Sequence, residues 1–134
     1  MNKQTASQPI LCIDLKKNRI RIHKLTLHML GDPEYIQLLV NPTARMIAIR
    51  CSNREDNLAH HIRSYQLTDG NCYELYSTDL IKTLKSVDNS WQGNCSYRIY
   101  GMMNHTAKIA QFPMKDIILV EESQNTDMQV AAYD

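Results

Sequence analysis

Glycine is scarce in this chain, with four residues in 134, and Gly31, Gly70, Gly93 and Gly101 stand too far apart to build a loop that cradles a phosphate. No G-x-S-x-G, P-loop, dinucleotide-type glycine pattern or H-E-x-x-H occurs, so the sequence predicts a protein that is not an enzyme, with no catalytic residues and no cofactor. Long apolar runs are missing as well. None approaches the roughly 20 residues that span a bilayer, and the opening Met1 to Gln8 is polar, which predicts a soluble cytoplasmic protein with no membrane partner. Four cysteines, Cys12, Cys51, Cys72 and Cys95, form no C-x-x-C pair; this excludes zinc-ribbon spacing and a dense disulfide framework and predicts reduced, mostly buried thiols. On a helix the adjacent His60 and His61 would point about 100° apart and could not share one ion. Asp56 and His60, four apart, read as an exposed ion pair, and no metal ligands are assigned.

What the chain does contain is an internal echo. Asn41-Pro42-Thr43-Ala44-Arg45, between two apolar runs, returns as Asn104-His105-Thr106-Ala107-Lys108, again between two apolar runs. Ile20, Ile22 and Leu27 correspond in the same way to Tyr73, Leu75 and Leu80 at a shorter offset. The charge is uneven too. Up to Arg50, eight cations (Lys3, Lys16, Lys17, Arg19, Arg21, Lys24, Arg45, Arg50) face only Asp14, Asp32 and Glu34, which leaves roughly +5, against about −4 for the remainder.

Local patterns place the elements. Ile10 to Leu15 reads as a strand, Lys16-Lys17-Asn18 as a turn, and Arg19 to Lys24 as a strand whose Ile20 and Ile22 alternate with Lys17, Arg19, Arg21 and His23, giving one apolar and one cationic face. Thr26 to Leu30 reads as a short helix stopped by Gly31-Asp32-Pro33. Tyr35 to Val40 and Arg45 to Cys51 form a hairpin, and Arg54 to Tyr65 reads as an amphipathic linker helix capped by Asn53. After the break at Thr68 to Asn71 come a strand over Cys72 to Tyr76 and a helix capped by Ser77 with Leu80, Ile81, Leu84 and Val87 on one stripe. A second hairpin over Ser96 to Met103 and Thr106 to Phe112 follows, then a last strand, Ile117 to Val120, expected to pair with the first. Tyr73, Tyr76, Tyr97, Tyr100 and Trp91 concentrate in this half, as core packing with an exposed subset suited to a protein interface.

The run Asn18 to Gly31, with the hairpin behind it, resembles the DNA-binding unit of the AbrB, SpoVT and MraZ regulators, whose pattern is G-R-[apolar]-x-[apolar]-P-x-x-x-R-x-x-L-G. Arg19, Ile20, Ile22, Leu30 and Gly31 keep that register; Asn18 stands at the family's glycine, His23 at its proline and Leu27 at its helix arginine. The resemblance covers about a quarter of the chain. It implies a swapped-hairpin barrel, usually shared between two units, with DNA contacts from basic residues near this turn; MraZ carries two such units in one chain.

The sequence therefore predicts an α+β fold. Two β-α-β-β units, about 10–51 and 72–121, form a β-barrel-like core joined by the helix at about 54–65, with 1–122 one domain and 123–134 a mobile tail. The expected function is non-enzymatic DNA binding or transcription regulation, with Lys17, Arg19, Arg21 and Lys24 neutralising the phosphates of double-stranded DNA. The alternative is a protein-interaction or homodimerisation module using the Tyr/Trp-rich second half.

Overall fold

Period-two patterning governs the architecture. In β1 (Ile10–Asp14) and β2 (Arg19–His23) every second residue is an aliphatic side chain, and Leu11, Ile13, Ile20 and Ile22 are completely buried. Residues 8–63 and 71–120 are described by the computed structural model, which is a mixed α+β structure with two five-stranded antiparallel sheets and few helices.

After β2 the elements are α1 (Lys24–Met29), β3 (Tyr35–Asn41), β4 (Met46–Cys51), the two-residue β5 (His60–His61), β6 (Cys72–Tyr76) and α2 (Thr78–Val87). Then follow β7 (Ser96–Tyr100), β8 (Met102–Asn104), β9 (Ile109–Pro113), a 3-10 turn at Met114–Asp116 and β10 (Ile117–Val120). The first sheet has the order β10-β7-β1-β2-β6 and the second β5-β3-β4-β9-β8. One apolar cluster draws on both: Leu11, Ile13, Ile20, Ile22 and Ile99 from the first meet Ile36, Ile47, Ile49, Ala110 and Phe112 from the second, with Leu27, Leu30, Ile81 and Leu84 from the helical segments.

Local chemistry explains the joints. His23 caps α1, its Nδ1 accepting from the Leu25 amide at 3.0 Å, and the helix ends at Gly31 with φ 91°, a conformation a side chain rarely adopts. The fully buried Thr26 pins α1 to β1: its Oγ1 accepts from the Ile10 amide at 2.7 Å and donates to the Ile10 carbonyl at 3.0 Å. Ser77 caps α2 through the Leu80 amide. The two echoed turns are built alike. Asn41 Oδ1 accepts from Ala44 N and Asn104 Oδ1 from Ala107 N, each at 3.0 Å, and the closing cations Arg45 and Lys108 both lie at positive φ, 54° and 56°. Arg45 also bonds Asp88 at 2.7 Å. Hydrogen bonds from Ser90, helped by that guanidinium, hold the Asp88 carboxyl below the usual carboxylate range.

Five sequence expectations are corrected. The linker helix is absent over its described part, Arg54 to Arg63, which forms turns and the short β5; residues 64 and 65 lie outside the described residues. The side chains meant to start the helix compete with it instead, Asn53 Oδ1 taking the Glu55 amide and Asp56 Oδ1 the Leu58 amide. Asp56 also accepts from Ser52, so the Asp56 to His60 pair of a helix does not form, and His60 and His61 pair with Ile36 and Tyr35 of β3. The second hairpin divides at Gly101: β7 pairs with β1 in the first sheet, and only β8 pairs with β9 in the second. A Cβ at Gly101 would stand 2.3 Å from the Gln111 carbonyl and 2.6 Å from the Phe112 ring, so the chain can cross between sheets there only without a side chain. β10 pairs with β7, which separates it from β1. Finally, among the described residues the strands make two separate ladders and close into no single barrel. The expected tail, 123–134, lies outside the described residues.

Candidate nucleic-acid interface

Residues opposite one another in adjacent strands share a face, so register alone lays out the outer side of the first sheet. One row runs Ile118, Arg98, Cys12, Arg21, Glu74 across all five strands. The next runs Val120, Ser96, Asp14, Arg19, Tyr76, and on the other side Tyr100, Ile10, His23 and Cys72 line up. Three arginines, two carboxylates, two thiols and two tyrosines thus occupy one surface.

Arg19 is the best anchored of these. Its guanidinium lies between Asp14 Oδ2 at 2.7 Å and Glu74 Oε2 at 3.1 Å, with only 12 % of the side chain exposed. Burial pulls the Arg19 pKa down, but hydrogen bonds with Asp14 and Tyr76 and the charges of Asp14 and Glu74 outweigh it and leave the pKa raised. The same Glu74 oxygen lies 3.4 Å from Arg21 Nε, and its other oxygen accepts from the Tyr76 hydroxyl at 3.1 Å. Asp14 Oδ1 in turn accepts the Lys16 and Lys17 amides, which fixes the β1–β2 turn.

The four cations expected to act together are therefore distributed differently. Arg19 and Arg21 share the outer face but are half-buried and ion-paired. Lys17 is exposed in the turn before β2 and Lys24 is exposed at the start of α1, at opposite ends of the strand. Arg98 was not among the expected residues, yet the pairing of β7 with β1 sets it directly beside Cys12, with Arg21 on that thiol's other side. A hydrogen bond with Cys12 is the main influence raising the Arg98 pKa against burial, and the Tyr100 hydroxyl adds to it. The alternation in Ser96-Tyr97-Arg98-Ile99-Tyr100 marks Arg98 as facing away from the core, but nothing in it says that β1 is the neighbour.

The aromatic residues of the second half divide between core and surface. Trp91 and Tyr97 are buried and stacked, ring centroids 5.2 Å apart, whereas Tyr76 and Tyr100 are exposed on the arginine face. The four cysteines are free thiols; Cys72 is buried and burial pushes its pKa up, while Cys12, Cys51 and Cys95 are half-buried. Among the described residues no group of three or more His, Cys, Asp or Glu could hold a metal ion, and no helix is long and apolar enough to cross a membrane. The chain matches no protein family, no curated protein and no solved structure.

Proposed function

We propose that this is a non-enzymatic DNA-binding protein with a regulatory role, which holds phosphates on the outer face of the first sheet. The observation that carries this reading is the set of three half-buried arginines on one sheet face, Arg98 and Arg21 flanking Cys12 with Arg19 in the adjoining row, beside the exposed Lys16 and Lys17. Three arginines meet two carboxylates, Asp14 and Glu74, so the face keeps a cationic balance.

The resemblance to the AbrB-like unit belongs to the same proposal. Asn18, at the family's glycine, has φ 51°, a conformation glycine adopts readily, and His23, at the family's proline, sits at the helix N-terminus. Duplication of that unit accounts for several coincidences of geometry. Asn71 repeats Asn18 with φ 58°, the Lys24 amide bonds the Asn71 carbonyl, and the Ser77 amide bonds the Asn18 carbonyl. Under the two echo offsets Arg21 corresponds to Glu74 and Ala48 to Gln111, and these residues stand opposite each other in β2–β6 and β4–β9, as they would around a pseudo-two-fold axis.

The reading is tested by gel shift and anisotropy on DNA at about 50 and 200 mM salt, where several phosphate contacts weaken binding by orders of magnitude. Lys17→Ala and Lys24→Ala each weaken binding on every sequence and reduce the salt slope by about 1. No binding at the lower salt rejects the proposal.

A second reading, association with another copy of the chain or another protein, is favoured by β10. This edge strand carries no charge and no proline, and Ile118 and Leu119 are 51 % and 47 % exposed. A salt-insensitive dimer abolished by Ile118→Lys would support it.

A further inference from the structure

We infer that the nucleic acid taken by the first sheet is single-stranded, its bases stacking on Tyr76 and Tyr100 and its phosphates lying along Arg98 and Arg21 between them. The inference rests on the reading of this face as a nucleic-acid interface and goes further by naming the form of strand.

Shape is the first argument. Five strands spaced about 4.8 Å apart make a surface about 19 Å wide, too broad for the roughly 12 Å major groove that admits a helix or a two-stranded ribbon. A single strand lies flat on such a surface. Chemistry is the second. Tyr76 is 61 % and Tyr100 36 % exposed, and both stand on the arginine side of the sheet instead of joining Trp91 and Tyr97 in the core. In a duplex the base faces are covered by their neighbours, so exposed tyrosine rings gain little there. Unpaired bases offer a π face whatever their identity.

The placement of the rings is also suitable. Tyr76 on β6 and Tyr100 on β7 are three strand spacings and four residues apart, about 20 Å along a diagonal, which suits a strand within the roughly 4–16 nucleotides typical of such platforms. The Tyr76 ring is steadied by its hydroxyl bond to Glu74, and Tyr100 stands two residues from Arg98 on the same face of β7. Along the diagonal lie Arg98, Cys12, Arg21 and Arg19. Arg98, which has no carboxylate partner among the described residues, brings a positive charge to the Tyr100 end of the path. Glu74 and Asp14, which would repel phosphate, are both held by Arg19.

The test is fluorescence anisotropy of the full chain with labelled 12-mers of deoxythymidine and of uridine and with a DNA duplex of equal length, at about 50 mM salt. Binding of one or both single strands at least tenfold tighter than the duplex is expected. Tyr76→Ala and Tyr100→Ala should each weaken single-strand binding at least fivefold, with Tyr76→Phe and Tyr100→Phe restoring it because the π face is kept. Preference for deoxythymidine supports both the inference and the DNA-binding reading, whereas preference for uridine supports the single-strand inference and replaces DNA by RNA as the ligand of this face. Equal or tighter duplex binding, or alanine variants that bind like the parent, overturns it while leaving the phosphate-binding face in place. No binding to any of the three probes overturns both.

Discussion

Arg21 and Glu74 face each other at the middle of the β2–β6 pair, and their opposite signs matter because like charges directly opposite in adjacent strands are destabilising. A chain with arginine at both positions would set two cations against each other there. Glu74 also completes the clamp on Arg19, so its loss strands positive charge at half-buried sites. Glu74→Arg is expected to lower stability by about 2–3 kcal/mol in urea denaturation, and Arg19→Ala by a similar amount because Asp14 and Glu74 lose their shared partner. Backbone conformation gives a second prediction at this scale. Asn18 and Asn71 sit at positive φ, so Asn18→Ala and Asn71→Ala should each cost about 1 kcal/mol, while the glycine replacements should be neutral within a few tenths. A third concerns His60, whose pKa burial lowers from the ordinary value near 6.5. The fold therefore favours neutral His60. Its contribution is full above about pH 6.5 and is lost as the pH falls below that value, because the unfolded chain takes up the proton first. Denaturation midpoints measured across that range should fall less for His60→Gln than for the parent.

Among the elements, those set by strong local signals were legible: the alternation in β2, the Ser77 cap and apolar stripe of α2, and the Asn-x-Thr-Ala-cation turn of the first hairpin. The segment after β4 was not. Asn53 and Asp56 suit a helix start, but the same oxygens close turns on Glu55 and Leu58, and the stacking of His61 on Tyr35 at 4.5 Å goes with pairing to β3. Tertiary pairing decided between two conformations that the local sequence permits. The crossing at Gly101 was equally hidden, since a glycine inside an apolar run signals a bend or a close approach without saying which. Of the described glycines it is also the one with the least room for a side chain. Gly101→Ala should destabilise by about 2–4 kcal/mol, read from urea or thermal melts, because Gln111 backbone and the buried Phe112 ring must both move.

Across the whole molecule the charge asymmetry seen along the sequence becomes an arrangement in space. The cationic strand of the first half pairs with the acid-bearing strand of the second, and on this face the arginine without a carboxylate partner among the described residues is Arg98, from the half that is negative overall. Half of the candidate site, Arg19 and Arg21, could be read from period two alone. The remainder required knowing that β7 lies beside β1 and β6 beside β2, contacts between residues far apart in sequence that no local pattern encodes. The central claim is that this composite face binds nucleic acid. Its most direct test is an NMR titration of the full chain with a short single-stranded oligonucleotide at low salt. Shift changes are predicted for Cys12, Arg21, Tyr76, Arg98 and Tyr100, with the second sheet largely unmoved. Changes confined to β3, β4, β8 and β9, or none at all, would contradict the account.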